Sequence, residues 1–397
     1  MRRTFCLILL LTLSLNASPQ TLWGTEECYP KRETRAVWVT TLGGLDWPKA
    51  KATSERGREQ QKRELCQLMD ELKAAGVNTL LFQVRTRGSV LYPSSLEPWD
   101  IALTGQYGQD PGYDPLAFAV KQAHLRGLEL EAWVVSVPAF KVNVAQRIGS
   151  KSLYSTHRSL LVKHEGMYYL DPGEPETASY LASLCEEITR RYDVDGIHLD
   201  YIRYPDKAAS FPDAASYKKY GNGSAKADWR RGNITRIVRE VSLRVKALKP
   251  WVRVTCSPVG KYRDTRRASS RGWNGYDAVY QDAKLWLREG LMDELYPMMY
   301  FTGEHFYPFL FDWQEDTAGK LIATGLGIYF LSPSEGKDWQ LSVITRELHT
   351  ARLNGLSGQA FFRSAFLTAN TKGLLDLLSY SFYAYPALHP ARTWTDS

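Results

Sequence analysis

The sequence predicts one α/β domain of the (β/α)8 class, a TIM barrel with long loops on the face where its strands end. Eight apolar, β-branched segments alternate with segments whose apolar residues recur at helical spacing. Segments that follow strands are long and polar, whereas those that precede strands are short, as at 76–78 and 193–195. The chain has 397 residues, 44% of them hydrophobic, and this is enough for a core of that size.

A doubly wound open sheet is the alternative fold. Such sheets usually carry a glycine-rich phosphate-binding loop after the first strand. The segment TTLGGLDWP at 40–48 lacks the GxGxxG spacing, and no P-loop follows elsewhere in the chain. We therefore favour the barrel.

The individual elements follow from residue type and periodicity. We expect strands at 35–42, 79–85, 128–136, 196–202, 252–258, 294–301, 321–330 and 358–366. We expect helices at 58–76, 114–127, 176–192, 227–250, 276–290, 338–355 and 370–382, with a short one near 308–320. Asp114 and Asp338 are in position to cap the helices that follow them.

The first residues have the pattern of a secretory signal. Arg2 and Arg3 precede the apolar run FCLILLLTLSL, which is too short to span a membrane, and small residues follow it. We predict a signal peptide over 1–18, cleaved near Ala17 or Ser18, and retention as an anchor is the alternative. We then expect an exported bacterial protein, periplasmic, at the cell surface or extracellular, with no stable membrane insertion after cleavage.

The remaining chain is expected to hold one barrel domain over 33–382 and a C-terminal tail over 383–397. Residues 19–34 and 386–397 look like loose ends. No low-complexity segment, repeat or linker divides the domain. The four cysteines that remain after cleavage show no metal-binding spacing, so we expect buried free thiols.

The overall charge gives little information about partners. The formal net charge is +7, and loss of Arg2 and Arg3 lowers it by two. A charge this small favours an anionic polymer only weakly. No nucleic-acid-binding motif is present, and we expect no nucleic-acid partner.

The fourth predicted strand lies in YDVDGIHLDYIRYP at 192–205 and mixes apolar with polar residues. If Ile197 and Leu199 face the helices, His198 and Asp200 face the barrel axis, with Asp200 nearer the strand end. Residues at the C-terminal ends of barrel strands commonly carry the catalytic chemistry. The structural alternative is a buried carboxylate that anchors a loop, for example through Arg203.

The sixth strand supplies a second candidate carboxyl. Alternation places Tyr296, Met298 and Tyr300 inward, and TGEHF then places Glu304 just above the barrel mouth. A solvated loop residue is the alternative for Glu304. Two carboxyl groups are what glycoside hydrolysis needs.

Other polar residues follow the first three strands. Asp46 and Trp47 come after the first strand, and Gln83 and Arg85 face inward at the end of the second. Arg85 binds a substrate oxygen in one interpretation and forms an internal salt bridge in the other. Glu131 on the third strand lies deep enough to predict a buried structural pair.

Several reaction classes are disfavoured by absent motifs. The chain has no GxSxG nucleophile elbow and no His pair at metal-ligand spacing. We therefore predict no metal and no cofactor. An acidic and aromatic mouth fits glycoside hydrolysis better, and Trp47, Trp99 and Trp133 include candidate sugar-stacking platforms.

The motifs resemble one family. TRAVWVTTLGGLDWP, RYDVDGIHLDYIRYP and MDELYPMMYF are similar to segments of glycosyl-hydrolase-like family ten, an exported bacterial family, and the resemblance extends over 33–367. The family includes a hydrolase of peptide-free peptidoglycan glycan strands. The resemblance implies a (β/α)8 barrel with a glycosidase-type site. More distantly, Asp195, Gly196 and Asp200 match the amylase-type pattern D-G-F-R-x-D, in which the last Asp is the nucleophile.

Our leading hypothesis is an exported glycoside hydrolase that acts on a bacterial cell-wall glycan or related polysaccharide. Asp200 is the predicted nucleophile or base and Glu304 the predicted acid. The expected substrate-binding residues are Asp46, Trp47, Gln83, Arg85, Trp133, His198, Arg203, Tyr204 and Tyr300.

Two alternatives remain open. In the family an Asp often stands at Ser89, a His at Glu131, an Asn at Val135 and an Asp at Tyr201. These differences raise the possibility of a carbohydrate-binding barrel without catalysis. A transglycosylase that transfers the glycan to another sugar is the third hypothesis.

Overall fold

The structure is a computed structural model that describes residues 29–392. The predicted signal peptide at 1–18 and Cys28 lie outside the described residues. From Lys31 to Arg392 the chain forms one compact unit built on a closed barrel of eight parallel strands. The barrel strands are β1 (Thr34–Val39), β2 (Thr79–Arg85), β3 (Glu129–Val135), β7 (Gly196–Asp200), β8 (Arg253–Cys256), β9 (Glu294–Leu295), β10 (Leu321–Leu326) and β11 (Gly358–Phe361).

The barrel closes in the order β1-β11-β10-β9-β8-β7-β3-β2, with β1 also paired to β2. Each strand therefore neighbours the one that precedes or follows it among the eight, as expected for a TIM barrel. Gly358 marks the closing contact, since a Cβ at this position would lie 1.9 Å from the carbonyl oxygen of Thr34. Only glycine allows β11 and β1 to approach so closely.

Thirteen α-helices are present in the described residues, and most long ones match the expected positions. They are α1 (Glu55–Ala74), α2 (Ile101–Thr104), α3 (Pro115–Leu125), α4 (Leu153–Thr156), α5 (Pro175–Arg191), α6 (Ala214–Tyr220), α7 (Lys226–Leu248), α8 (Gly275–Ala278), α9 (Ala283–Arg288), α10 (Tyr307–Gln314), α11 (Leu341–Leu353), α12 (Ser364–Thr368) and α13 (Leu374–Leu377). Asp114 caps α3 as predicted, because its carboxylate accepts from the backbone N–H of Ala117 at 3.0 Å.

Two helix predictions were wrong in detail. The helix expected at 276–290 is interrupted between α8 and α9, where Tyr280 has a φ of +58°. Asp338 does not cap α11, since Gln340 is the residue before that helix and Asp338 instead pairs with Lys372. Local periodicity did not reveal either feature, because neighbouring segments determine both.

The sixth barrel strand is much shorter than expected. β9 contains only Glu294 and Leu295, because Pro297 has no N–H to continue the ladder. Beyond the proline, Met298 still forms isolated bridges to Val259 and Gly325. The inward direction predicted for Tyr296 is confirmed, and Leu295 lies in the outer core.

The hydrophobic residues form two layers. A large cluster lies between the barrel and the helices and includes Ile197 and Leu199. A small cluster fills the barrel interior and consists of Ala36, Trp38, Leu81, Trp133, Val135, Tyr296, Ala323 and Ala360. The alternation that sequence analysis assigned to the fourth strand, now β7, is therefore confirmed.

The long segment after β3 forms a small antiparallel sheet that sequence analysis did not predict. Its strands are β4 (Pro138–Lys141), β5 (Leu161–His164) and β6 (Met167–Leu170), in the order β4-β6-β5. The sheet continues directly from the C-terminal end of β3, so it builds a wall on the face where barrel strands end.

The described chain ends are packed, which corrects the expectation of loose ends for these residues. Leu388 pairs with Arg32, and the imidazole of His389 lies 3.1 Å from Glu294 Oε2. Tyr383 donates to Gln359 at 2.8 Å, and the Arg35 guanidinium lies over its ring. These contacts lie at the N-terminal ends of the strands, opposite the loops that carry function in barrels.

Within residues 29–392, no helix combines the length and the apolar composition that crossing a membrane requires. Cys66, Cys185 and Cys256 are free thiols, and Cys185 and Cys256 are buried as predicted, whereas Cys66 is only half-buried.

Candidate active site

A cavity of about 610 Å³ opens where the barrel strands end, and we call it the mouth cavity. It is lined by Thr40, Leu42, Leu45, Gln83, Thr86, Arg87, Trp133, Val135, Pro138, Met167, Tyr169, Asp200, Tyr201, Arg203, Tyr204, Pro205, Asp206, Met298, Tyr300, Tyr329, Phe362 and Arg363. Aromatic and apolar residues make up much of this lining, and a few polar groups are fixed among them. A cavity of this type is the default position for a ligand site in a barrel.

Asp200 lies on the floor of the mouth cavity at the last position of β7. Its Oδ1 accepts from the backbone N–H of Tyr201 at 2.7 Å and from the Ser257 hydroxyl at 3.0 Å. Its Oδ2 accepts from the indole N–H of Trp133 at 3.1 Å. The backbone N–H and the indole N–H can only donate, so these contacts fix the carboxyl as a hydrogen-bond acceptor.

Burial and hydrogen bonding act on Asp200 in opposite directions. Burial raises the pKa of the carboxyl above its ordinary value, and the three hydrogen bonds and the nearby Arg203 charge offset part of that rise. A carboxylate that is oriented, poorly solvated and aimed at a cavity is a candidate nucleophile or base.

His198 lies beneath the cavity in a chain of hydrogen bonds through the barrel. Trp38 donates its indole N–H to His198 Nε2 at 3.2 Å, so the imidazole proton resides on Nδ1 and faces Thr255 at 2.9 Å. Thr255 in turn donates to Glu131 at 2.6 Å, and Arg253 donates to the other oxygen of Glu131 at 2.9 Å. The buried structural pair predicted for Glu131 is therefore confirmed.

This environment keeps His198 neutral. The side chain is fully buried, and burial lowers the pKa of its imidazole to about 3. His198 does not line the mouth cavity, so the structure places it below the site and not in contact with a substrate.

The rim loop after β7 carries an arginine between two aromatic rings. The Arg203 guanidinium lies 4.9 Å from the Tyr201 ring centroid and 5.8 Å from that of Trp273, and both rings are more than 40% exposed. Arg203 also donates to Asp206 at 2.6 Å. Exposed aromatic faces held in this way suit stacking against sugar rings.

Tyr201 adopts an unusual backbone conformation directly after Asp200. Its φ is +48°, in the left-handed region that an aromatic residue seldom occupies. Such positions concentrate at ligand sites, where the surrounding structure fixes them. Here the conformation turns the Tyr201 N–H back onto Asp200 Oδ1.

Six of the predicted site residues line the mouth cavity together: Asp200, Gln83, Trp133, Arg203, Tyr204 and Tyr300. The Gln83 side-chain oxygen accepts from the backbone N–H groups of Thr41 and Leu42, both at 2.9 Å, and so holds the loop after β1. Tyr204 forms part of the wall but is fully buried, with its hydroxyl bonded to Asn233.

Other predicted site residues lie outside the cavity. Trp47 is buried in the outer core and donates to the Gln61 carbonyl at 2.8 Å. Asp46 lies behind Arg363 and forms an ion pair with it. Glu304 lies in a short turn with its side chain 73% exposed, close to His305. Trp99 lines a separate cavity of about 400 Å³.

Arg85 forms the internal salt bridge that was the alternative interpretation. Its Nη2 lies 2.6 Å from Glu97 Oε1, and both side chains have no exposed surface. Tyr180 also donates to Glu97, at 2.9 Å. An irregularity in the β2–β3 register between Gln83 and Arg85 shifts the alternation, so Arg85 no longer follows Gln83 into the cavity.

Sequence analysis missed several polar or aromatic residues at this site, among them Asp206, Arg87, Arg363 and Trp273. Asp206 directly follows the quoted YIRYP segment, and this adjacency was the signal that could have identified it. The others lie on loops whose paths the local pattern does not give. Within residues 29–392 no group of three or more His, Cys, Asp or Glu side chains is arranged to hold a metal ion.

Comparison with known protein families shows which family the chain belongs to. A family model described as Glycosyl hydrolase-like 10 matches residues 33–330. The chain belongs to this family. The resemblance that the sequence motifs indicated is thereby confirmed.

Curated relatives cover most of the chain. Glycosyl hydrolase YngK of Bacillus subtilis (strain 168) is 31% identical over 387 residues, which cover 92% of this chain and 75% of the relative. Glycosyl hydrolase DigH of Escherichia coli (strain K12) is 33% identical over 370 residues, covering 84% of this chain and 83% of the relative. Both are named as glycosyl hydrolases.

Solved structures share the fold of this Glycosyl hydrolase-like 10 member. The glycoside hydrolase domain of PgaB (BpsB) from Bordetella bronchiseptica matches with a TM-score of 0.61 at 15% identity, covering 87% of this chain and 98% of that domain. The catalytic domain of a β-amylase from Paenibacillus polymyxa matches with a TM-score of 0.55 at 13% identity, covering 89% and 99%. At these identities the likeness concerns the barrel architecture.

Proposed function

We propose that this protein is a glycoside hydrolase that cleaves O-glycosidic bonds in a bacterial cell-wall glycan or a related polysaccharide. The observation that carries the proposal is the carboxyl of Asp200, fixed by three donors on the floor of an aromatic cavity at the strand ends. Family membership supports the reaction class. The named relatives support the same class.

In this proposal Asp200 acts on the anomeric carbon. The carboxylate either attacks that carbon directly, in which case water later cleaves the resulting glycosyl ester and restores the carboxylate, or it removes a proton from the water that attacks the carbon. The bond between the anomeric carbon and the leaving oxygen breaks, and a second carboxyl donates a proton to that oxygen. The hydrogen bonds from Trp133 and Ser257 hold the carboxylate in position, so little reorganisation is needed as charge develops.

Asp206 and Glu304 are the two candidates for the proton donor. Asp206 lines the same cavity as Asp200 and is attached to the same rim loop through Arg203. Glu304, the residue that the sequence favoured, does not line the cavity. Asp206 has the better position, but a proton donor must carry a proton and Asp206 is ion-paired with Arg203, so both carboxyls stay candidates.

A glycan substrate accounts for the shape and composition of the cavity. Tyr300 and Phe362 pack with ring centroids 5.7 Å apart, and Tyr300 also contacts Tyr329. With Trp133 on the floor and Tyr201 on the rim, these rings provide apolar faces for several sugar units. A cell-wall glycan further agrees with the predicted signal peptide, which would export the protein to the compartment that holds such polymers.

The test is incubation of the purified protein with a panel of purified peptidoglycan glycan strands and other polysaccharides, followed by reducing-end assay and mass spectrometry of the products. Hydrolysis predicts new reducing ends at least tenfold above the no-enzyme rate with at least one member of the panel. Products longer than the substrate would instead indicate transglycosylation. Binding without any product would support the carbohydrate-binding alternative and overturn the proposal.

A further inference from the structure

The mouth cavity contains a positive charge that its own walls leave uncompensated. Arg87 lines the cavity and is partly buried there. No residue among those the structure describes forms an ion pair with its guanidinium or accepts a hydrogen bond from it. Since a guanidinium has five N–H donors, this group has its full binding capacity free.

The two other arginines of the cavity differ in this respect. Arg203 pairs with Asp206 at 2.6 Å, and Arg363 pairs with Asp46. Each of these cations is neutralised by a carboxylate from the chain itself. Arg87 is the exception among the arginines of the described cavity lining, so an anion from outside the chain would meet no competing carboxylate partner there.

The loop that carries Arg87 is held firmly. The backbone N–H of Thr86 donates to the carbonyl of Ser89 at 3.1 Å, and both hydroxyls donate to the same oxygen of Asp100 at 2.6 Å. Gly88 has a φ of +72° and packs against Phe140 of β4. Because the backbone of this turn is already fixed, binding a ligand at Arg87 orders its side chain and not the loop that carries it.

The positive charge of Arg87 lies near the aromatic side chains Tyr169 and Tyr201 of the cavity wall. Burial raises the pKa of the Tyr169 and Tyr201 phenols, and the positive charge of Arg87 opposes that rise in both. Pro138 and Met167 also line this side of the cavity and carry no charge. An anion bound here would be partly shielded from water, which strengthens its attraction to the guanidinium.

We propose that Arg87 recognises a carboxylate carried by a sugar unit of the substrate. The planar guanidinium matches a carboxylate with two parallel hydrogen bonds, a geometry that lysine does not provide. This inference rests on the proposed function and identifies a carboxylate as the substrate group that the site recognises. Two sources share this chemistry, an ether-linked lactyl carboxylate on an amino sugar and the carboxylate of a uronic acid.

The experiment compares matched acidic and neutral probes. The first pair is an alternating oligomer of N-acetylglucosamine and N-acetylmuramic acid with free lactyl carboxylates, and its carboxyl-reduced derivative. The second pair is a hyaluronan oligosaccharide and its carboxyl-reduced derivative. Dissociation constants are measured by calorimetry in an Asp200→Asn background, so that probes are not consumed, with Arg87→Gln and Arg87→Lys added singly. Arg56→Gln, at an exposed position on the outer helix α1, is the matched control.

With Arg87 intact, we expect one acidic probe to bind about tenfold or more tightly than its reduced partner. Arg87→Gln should abolish that preference, Arg87→Lys should retain part of it, and Arg56→Gln should retain all of it. The acidic probe that shows the dependence identifies the source of the carboxylate. A preference that survives Arg87→Gln, or no preference in the parent, overturns the inference.

Failure of this inference is distinguishable from failure of the proposed function. If the wild type releases reducing ends from a glycan whose dissociation constant is unchanged by Arg87→Gln, the hydrolase proposal stands and the assignment of Arg87 is wrong. If the wild type neither binds nor cleaves any acidic or neutral glycan, both fall.

Discussion

The indole N–H of Trp133 donates to Oδ2 of Asp200 at 3.1 Å, across the paired strands β3 and β7. Trp133→Phe keeps an aromatic ring but removes this donor. A hydrogen bond to a charged group contributes about 1.5–3 kcal/mol, so we expect kcat to fall at least about tenfold and the unfolding free energy to fall by no more than that range. Steady-state kinetics and urea unfolding measure the two effects.

Ser257→Ala is the matched control for that variant, because Ser257 donates to the other carboxyl oxygen, which the Tyr201 N–H also holds. We expect a smaller fall in kcat from Ser257→Ala than from Trp133→Phe. A larger fall in kcat from Ser257→Ala than from Trp133→Phe would contradict the view that catalysis depends mainly on the position of Oδ2.

The pH dependence of kcat/KM should report Asp200. A base or nucleophile must be ionised, so activity falls as pH drops through its pKa. Burial raises that pKa, and the acid limb should therefore lie above the value of about 3.9 for an exposed aspartate. Ser257→Ala removes a donor that favours the charged form, so the limb should move to higher pH. A limb at or below pH 4, or a downward shift in the variant, argues against Asp200 as the base.

The Arg85–Glu97 pair has a structural role in our account. Arg85→Met leaves Glu97 buried without its counter-charge, and we expect a loss of about 3–5 kcal/mol in unfolding free energy. Arg190→Met, which breaks the exposed pair with Glu186, should cost less than about 1 kcal/mol. Chemical denaturation measures both. A stable Arg85→Met protein with a raised KM would instead favour the substrate-binding interpretation.

Trp273 should contribute to binding of longer glycans. Its ring lies on the rim beside Arg203, beyond the floor where Asp200 acts. We expect Trp273→Ala to raise KM about three- to tenfold for long oligosaccharides and to leave kcat nearly unchanged, since aromatic stacking contributes about 1 kcal/mol. Trp251→Ala is the control, because Trp251 is 60% exposed but lies before β8 at the opposite end of the barrel. Equal effects of the two changes would remove Trp273 from the site.

Much of the barrel was predictable because its determinants are local. The twofold alternation in a strand depends only on neighbouring residues, so Ile197, Leu199 and Asp200 were assigned to the correct faces. The same rule failed at Arg85, where the shift in β2–β3 register reverses the expected direction. Such an irregularity arises from the pairing of two strands and is not encoded in the alternation of one.

The rim of the site was less predictable for the same reason. Trp273 meets Arg203 across about seventy residues of sequence, through loops whose paths depend on the completed fold. The packing of His389 against Glu294 also joins distant segments, so residues 386–392, which looked loose in the sequence, are packed in the structure. The periodicity of the sequence predicts the strands and helices. Contacts between distant segments form only when those elements pack together.

The most direct test of the central claim is the rate of reducing-end release by Asp200→Asn beside its glycan affinity. We measure hydrolysis of a glycan that the wild type cleaves, and binding of the same glycan by calorimetry. The account predicts a fall in kcat of at least about a thousandfold, with the dissociation constant within about fivefold of the wild-type value. Wild-type turnover in the Asp200→Asn protein, with folding and binding intact, would contradict it.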